Sequence, residues 1–141
     1  IKTKSRDNAR TPMQWDDSIN GGFSAGTPWL SVNGNYPRIN VKRQEDDPGS
    51  VLAYYRQLIA FRNGSRVLQE GDFTELYRKN GVYAYRRACD GEALTIVISL
   101  AEGERKNPAS GEVVCSNYGR ETAPARLAPY EALILREVVR R

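Results

Sequence analysis

The chain has 141 residues, of which 40% are hydrophobic and 27% charged, the make-up of a folding chain of one domain or one domain plus an extra piece. Net charge is +4, but the basic residues are scattered, with only pairs such as Lys42–Arg43, Arg86–Arg87 and Arg140–Arg141, so no nucleic-acid partner is expected. Histidine is absent, which removes serine–histidine and cysteine–histidine catalysis and most zinc sites; no metal and no cofactor is expected.

The two cysteines, Cys89 and Cys115, read as small core residues, with a disulfide between them left open. The longest apolar run, Thr95 to Leu100, is far shorter than the ~18 residues a membrane helix needs, so no membrane partner is expected. The first residue is Ile1, which points to a chain that is processed, trimmed or part of something longer.

Residues 1 to 50 carry glycines and prolines throughout and almost no periodic patterning. An ordered stretch of this kind is usually functional and lies over something larger than itself. Its densest part is "SRDNARTPMQW", Ser5 to Trp15. Arginine presents fixed donors that can hold two neighbouring acceptors at once, the spacing of vicinal sugar hydroxyls. Trp15, Trp29 and Tyr36 offer flat apolar faces for a pyranose or the wall of a pocket. Equally, Arg6, Asp7 and Arg10 can form an internal ion-pair knot that holds a loop.

Glycoside hydrolysis needs two carboxylates flanking the scissile bond. Asp16–Asp17 and Asp46–Asp47 are adjacent in turn-like segments, so capping and solvation are their expected roles. "DDSINGG", Asp16 to Gly22, lacks the alternating oxygen ligands and closing glutamate of a calcium loop. Gly21, Gly22 and Gly26 lack the preceding strand that a phosphate loop requires.

A helix is predicted from Val51, Leu52, Tyr55, Leu58, Ile59 and Arg62, which recur at the spacing of an amphipathic face. Asp47 before Pro48 is its predicted cap, with Ser50 as the alternative, and Asn63–Gly64 its predicted left-handed end. Beyond it, Phe73–Tyr77, Val82–Ala88, Ala93–Leu100, Glu112–Ser116 and Glu131–Val139 read as strands. "KNG" at Lys79–Gly81 and "CDG" at Cys89–Gly91 are hairpin turns. The expected class is mainly β, an antiparallel β-sandwich, with Val82, Ala84, Ile96, Ile98, Leu133 and Leu135 forming one buried face.

"SRDNARTPMQWD" followed by "GGFSAGTPWLSVNGNYPRINV" closely resembles a signature segment of the α-glucosidases of glycoside hydrolase family thirteen. The match is to the oligo-1,6-glucosidase branch, with its dextran glucosidases, trehalose-6-phosphate hydrolases and sucrose isomerases. It continues through "DPGSVLAYYRQLIAFRN" and ends at "LAPYEALIL", similar to that family's closing strand. It covers essentially the whole chain, more weakly between Gly103 and Ala125.

The resemblance implies a (β/α)8 barrel with an inserted domain and a C-terminal β-sandwich. Residues 1–65 would then be the last loop and helix of the barrel, and residues 66–141 the sandwich. It implies a retaining mechanism with an aspartate nucleophile, a glutamate acid/base and a supporting aspartate. The motifs carrying those three precede this segment in the family, so no catalytic residue is assigned here and the isolated chain is expected to be inactive. The loop after the eighth strand sits at the mouth of such active sites. Arg10 is the implied contact to hydroxyls of the terminal glucose, with Arg6 as alternate. Asp7 and Asn8 would fix arginine geometry, while Gln14 and Trp15 buttress the loop. Implied partners are an oligosaccharide and the rest of the barrel, with a cytoplasmic location. The rival reading is a non-catalytic carbohydrate-binding or structural β-sandwich module.

Overall fold

A computed structural model describes residues 6–137; of Arg6 and Asn8 only the backbone is described. The chain divides into two compact units, Ile1–Leu58 and Ile59–Arg141, and the division falls inside a helix.

The first unit is held by caps and turns. Two 3-10 turns, Arg6–Ala9 and Ile19–Gly22, precede a short helix α1, Val41–Glu45. Periodicity gives no warning of a five-residue helix; its cap does the work. Asn40 is buried in an extended conformation, accepts the Arg43 N–H at 2.9 Å and donates from its amide to the Tyr36 carbonyl at 2.8 Å.

Helix α2 spans Val51–Gly64. Ser50, the alternative cap, is the residue that starts it: its hydroxyl accepts the Ala53 N–H at 3.1 Å and donates to the Gln44 carbonyl at 2.8 Å. Asp47 instead closes a turn on itself by accepting the Gly49 N–H at 2.8 Å.

The predicted left-handed end at Asn63–Gly64 does not form, because neither residue has a positive φ. The next helix supplies the closure. Gln69 donates its side-chain amide to the carbonyls of Arg62 and Asn63 at 3.1 and 2.7 Å, answering two of the orphan acceptors at the helix end. Gln69 belongs to α3, Arg66–Glu70, capped by Ser65.

The sheet confirms the mainly β, antiparallel expectation. Its strands are β1 Asp72–Lys79, β2 Val82–Cys89, β3 Glu92–Ser99, β5 Glu112–Ser116 and β7 Ala132–Arg136, ordered β1-β2-β3-β7-β5. β4 Arg105–Lys106 and β6 Arg126–Leu127 pair separately; at two residues each they are too short to leave an alternation in the sequence. Both predicted hairpin turns hold. Asn80–Gly81 and Asp90–Gly91 take φ of 53° and 73°, and 52° and 81°, the left-handed pair that lets two residues join twisted strands.

The buried faces differ from the expectation at β3. Ala84 pairs with Val97 and Val97 with Leu133, so these share one face with Val82 and Leu135, closed by Leu127 of β6. Ile96 and Ile98 lie on the other face, where Leu94 and Ile96 pack with Val67 of α3 and Phe61. Leu94, Thr95, Ile96 and Val97 are all buried, so alternation along β3 could not choose between its faces.

Glu131 sits just before β7 with its side chain 0% exposed. Its carboxylate accepts the Arg120 Nε–H at 2.8 Å and the Ala128 N–H at 2.6 Å, and its carbonyl accepts the Ser99 N–H at 2.8 Å. Burial pushes the Glu131 pKa up, but the Arg120 hydrogen bond, the Ala128 N–H and the Arg120 charge together outweigh it, leaving the acid stronger than usual.

A carboxylate whose folded pKa lies below its unfolded value of about 4.3 contributes stability above that value and loses it as pH falls through the folded pKa. Glu131→Gln is expected to cost about 1–3 kcal/mol at neutral pH. In urea titrations the gap between wild type and variant should narrow steadily as the pH drops below ~4. A gap that stays constant down to ~2 would contradict this account.

Candidate functional site

The loop around Gln14 is built by backbone pairing in two directions. Trp15 and Asp16 both donate their N–H to the Gly21 carbonyl, at 2.7 and 3.2 Å. The Val41 N–H donates to the Gln14 carbonyl and the Lys42 N–H to the Trp15 carbonyl, each at 2.9 Å.

The return of the chain at Gly21 demands unusual backbone. Asn20, Gly21 and Gly22 take successive φ values of 55°, 65° and 69°. Asn20 tolerates this because its amide is spent locally, donating to the carbonyls of Ser24 and Gly26, each at 2.9 Å. Gly22 faces the Asp16 carboxylate so closely that an added Cβ would stand 2.8 Å from Oδ1. Asp16 accepts the Ser18 hydroxyl and N–H; the hydroxyl hydrogen bond first, then that of the N–H, hold its carboxyl below the usual range. The Asp16 carboxylate thus finds its donors within the turn. Among the described residues no group of three or more His, Cys, Asp or Glu side chains is placed to hold a metal ion.

The Gln14 side chain donates to Asn35 Oδ1 at 2.9 Å and to the Ile39 carbonyl. Trp15 contributes through its paired backbone, and its ring is half exposed. Tyr36 has its Cβ against Gly21. Asn35, Asn40 and Gln44 are loop supports that the sequence reading missed. Asn40 itself, a favoured N-cap residue placed just before Val41, is the signal that could have found a cap there.

Arg10 is tied to Asp7 twice. Its Nη2 donates to Asp7 Oδ1 at 2.6 Å, and its backbone N–H donates to the Asp7 carbonyl at 3.0 Å. Its guanidinium carbon stands 5.9 Å from the centre of the Trp29 ring. The Arg10 side chain is nonetheless 53% exposed. Of the anticipated Arg6, Asp7 and Arg10 knot, the Arg10–Asp7 pair is formed, and the Arg10 side chain stays about half exposed. Such a group can donate two parallel hydrogen bonds to adjacent oxygens. Arg6 and Asn8 belong to the same 3-10 turn, and their side chains lie outside the described residues.

The family model for the alpha amylase catalytic domain matches residues 1–71, a span that takes in this loop and helices α1, α2 and α3. The chain belongs to the alpha-amylase family. Similar curated alpha-amylase relatives include the oligo-1,6-glucosidase of Parageobacillus thermoglucosidasius, 40% identical over 149 residues, covering 95% of this chain and 26% of that protein. The trehalose-6-phosphate hydrolase of Escherichia coli is 35% identical, covering 94% of this chain and 26% of that protein. Among solved structures, the trehalulose synthase MutB from Pseudomonas mesoacidophila is 39% identical with a TM-score of 0.83, over 94% of this chain and 26% of that one. The chain spans about a quarter of the length of the relatives it matches. The resemblance to glycoside hydrolase family thirteen read from "RDNARTPMQW" is therefore confirmed.

In this alpha-amylase loop the close approach of Gly22 to Asp16 makes a paired test. Gly22→Ala places a Cβ in a left-handed conformation, at a cost of about 1–2 kcal/mol, and also against the carboxylate. Gly34 has open space around it, and its φ is not positive. Limited proteolysis is expected to cleave Gly22→Ala roughly five- to thirtyfold faster within the loop, at ~1.4 kcal/mol per decade, with Gly34→Ala close to wild type. Equal rates for the two variants would remove the Asp16–Gly22 lock from the description.

Proposed function

We propose that this chain is the C-terminal part of a retaining α-glucosidase that hydrolyses short α-1,6- or α-1,4-linked glucosides. Residues 1–65 supply the last loop and helix of its (β/α)8 barrel, and residues 66–141 the closing β-sandwich. The catalytic-domain match that ends at residue 71 and the division of the chain at Leu58 both lie near that boundary and support it. The names of the relatives, oligo-1,6-glucosidase and trehalose-6-phosphate hydrolase among them, support the substrate class. MutB is described in complex with sucrose and, as an inactive double mutant, with isomaltulose.

Arg10 carries the reading. It is held at one edge by Asp7 and exposed at the other, on a loop whose shape is fixed by Gln14. In the proposed complex the open edge donates to neighbouring hydroxyls of the terminal glucose. Asp7 holds the guanidinium plane, and the carboxylates that break the bond come from the rest of the barrel. The same remainder is the proposed cover for α2, where Val51, Tyr55 and Ile59 stand exposed along one stripe. A cytoplasmic location is part of the proposal; Cys89 and Cys115 are unpaired with each other, and among the described residues no helix is long and apolar enough to cross a membrane.

The test is Arg10→Lys beside Arg6→Lys in the full-length enzyme. Lysine keeps the charge and loses the bidentate fork. Loss of one charged hydrogen bond costs ~1.5–3 kcal/mol, or roughly ten- to a hundredfold in kcat/KM. Arg10→Lys is expected to keep a near-normal melting temperature and lose that much turnover, with Arg6→Lys milder. If Arg6→Lys is the damaging change, the two roles are exchanged. If neither matters, the loop does not hold the sugar.

A further inference from the structure

We infer that Trp29 is a positioning residue for Arg10: its ring and the Asp7 carboxylate hold the guanidinium from two directions and fix where its remaining donors point. This rests on the reading of Arg10 as the sugar contact. The Arg10 guanidinium carbon lies 5.9 Å from the Trp29 ring centre, within reach of the attraction between a cation and an aromatic face. Asp7 meets the same group from the turn that precedes Arg10, through Nη2 at 2.6 Å.

One exposed ion pair orders a long side chain weakly, because two flexible chains must be held in one geometry. Here the pair has help on both sides. The Asp7 carbonyl also accepts the Arg10 backbone N–H at 3.0 Å, so the carboxylate is placed relative to the arginine's own main chain. The indole is rigid beyond two torsions and offers a broad face, so it restricts the far end of the side chain at small entropic cost.

Within this chain Trp29 is 86% exposed and belongs to neither apolar cluster of the described residues, and the group its ring meets is the Arg10 guanidinium. The consequence is specific: removing the ring leaves the fold intact and loosens the guanidinium.

The experiment measures kcat, KM and melting temperature on a nitrophenyl α-glucoside for Trp29→Leu, Trp29→Phe, Arg10→Ala and the Trp29→Leu/Arg10→Ala double variant of the full-length enzyme. Trp29→Leu is expected to lower kcat/KM by roughly three- to tenfold with an unchanged melting temperature, and Trp29→Phe to restore most of it. On the Arg10→Ala background, Trp29→Leu is expected to add no further loss. If the two losses multiply, the ring acts on the sugar directly and the positioning role falls. If Trp29→Leu is silent while Arg10→Ala is damaging, the inference fails and the sugar-binding reading of Arg10 stands. If Arg10→Ala itself is silent, that reading fails and takes this one with it. A Trp29→Leu loss that comes with a lowered melting temperature and no rescue by phenylalanine marks a structural ring and also overturns the inference.

Discussion

Backbone groups of Gln14 and Trp15 are paired to two separate parts of the first unit at once. Gly21 lies on one side, Val41 and Lys42 on the other. A long segment without helix or sheet can hold a shape only if its N–H and C=O groups find partners other than water. The Gln14 side chain adds Asn35 and Ile39 to the same knot. Everything proposed for Arg10 depends on this, since an arginine can select neighbouring hydroxyls only from a fixed base. The chemistry and the architecture of the loop thus rest on the same few polar residues.

The second unit solves a different problem. β3 is buried on both faces, so the sheet needs cover on each side: Leu127 of β6 meets one and Val67 of α3 the other. The turn into β7 is made at Tyr130, with φ of 55°, and is fastened by the buried carboxylate of Glu131. Arg120 is partly exposed while Glu131 is fully enclosed, so the two are not equivalent. An arginine that loses its partner there turns to water. A carboxylate that loses Arg120 keeps one strong donor, the Ala128 N–H, and must take up a proton or stay charged in a dry place.

Local rules carried far in this sequence where a residue type has one physical use. Asn80–Gly81 and Asp90–Gly91 were legible as turns because few residues accept left-handed backbone. Ser50 was legible only as the alternative to Asp47, and its hydroxyl serves the third residue of the helix. The face of β3 was not legible, because burial on both sides erases alternation. α1, α3, β4 and β6 are too short for any period and exist through caps and pairing partners elsewhere. The same holds at the candidate site. Asp7 as a neighbour able to pair with Arg10 could be read from the segment, whereas the Asn35 partner of Gln14 could not. The nearness of Trp29 to Arg10 could not, because it is a product of a long aperiodic path that the sequence does not draw.

The central claim is that Arg10 presents its free edge to a sugar. A crystal structure of the full-length protein with a terminal α-glucoside bound in a catalytically disabled variant would test it most directly. The account predicts two guanidinium nitrogens of Arg10 at about 2.7–3.2 Å from hydroxyls of the terminal glucose, with Asp7 still on its other edge. A glucose bound in the site with Arg10 turned away, or with water filling the space between them, would contradict it.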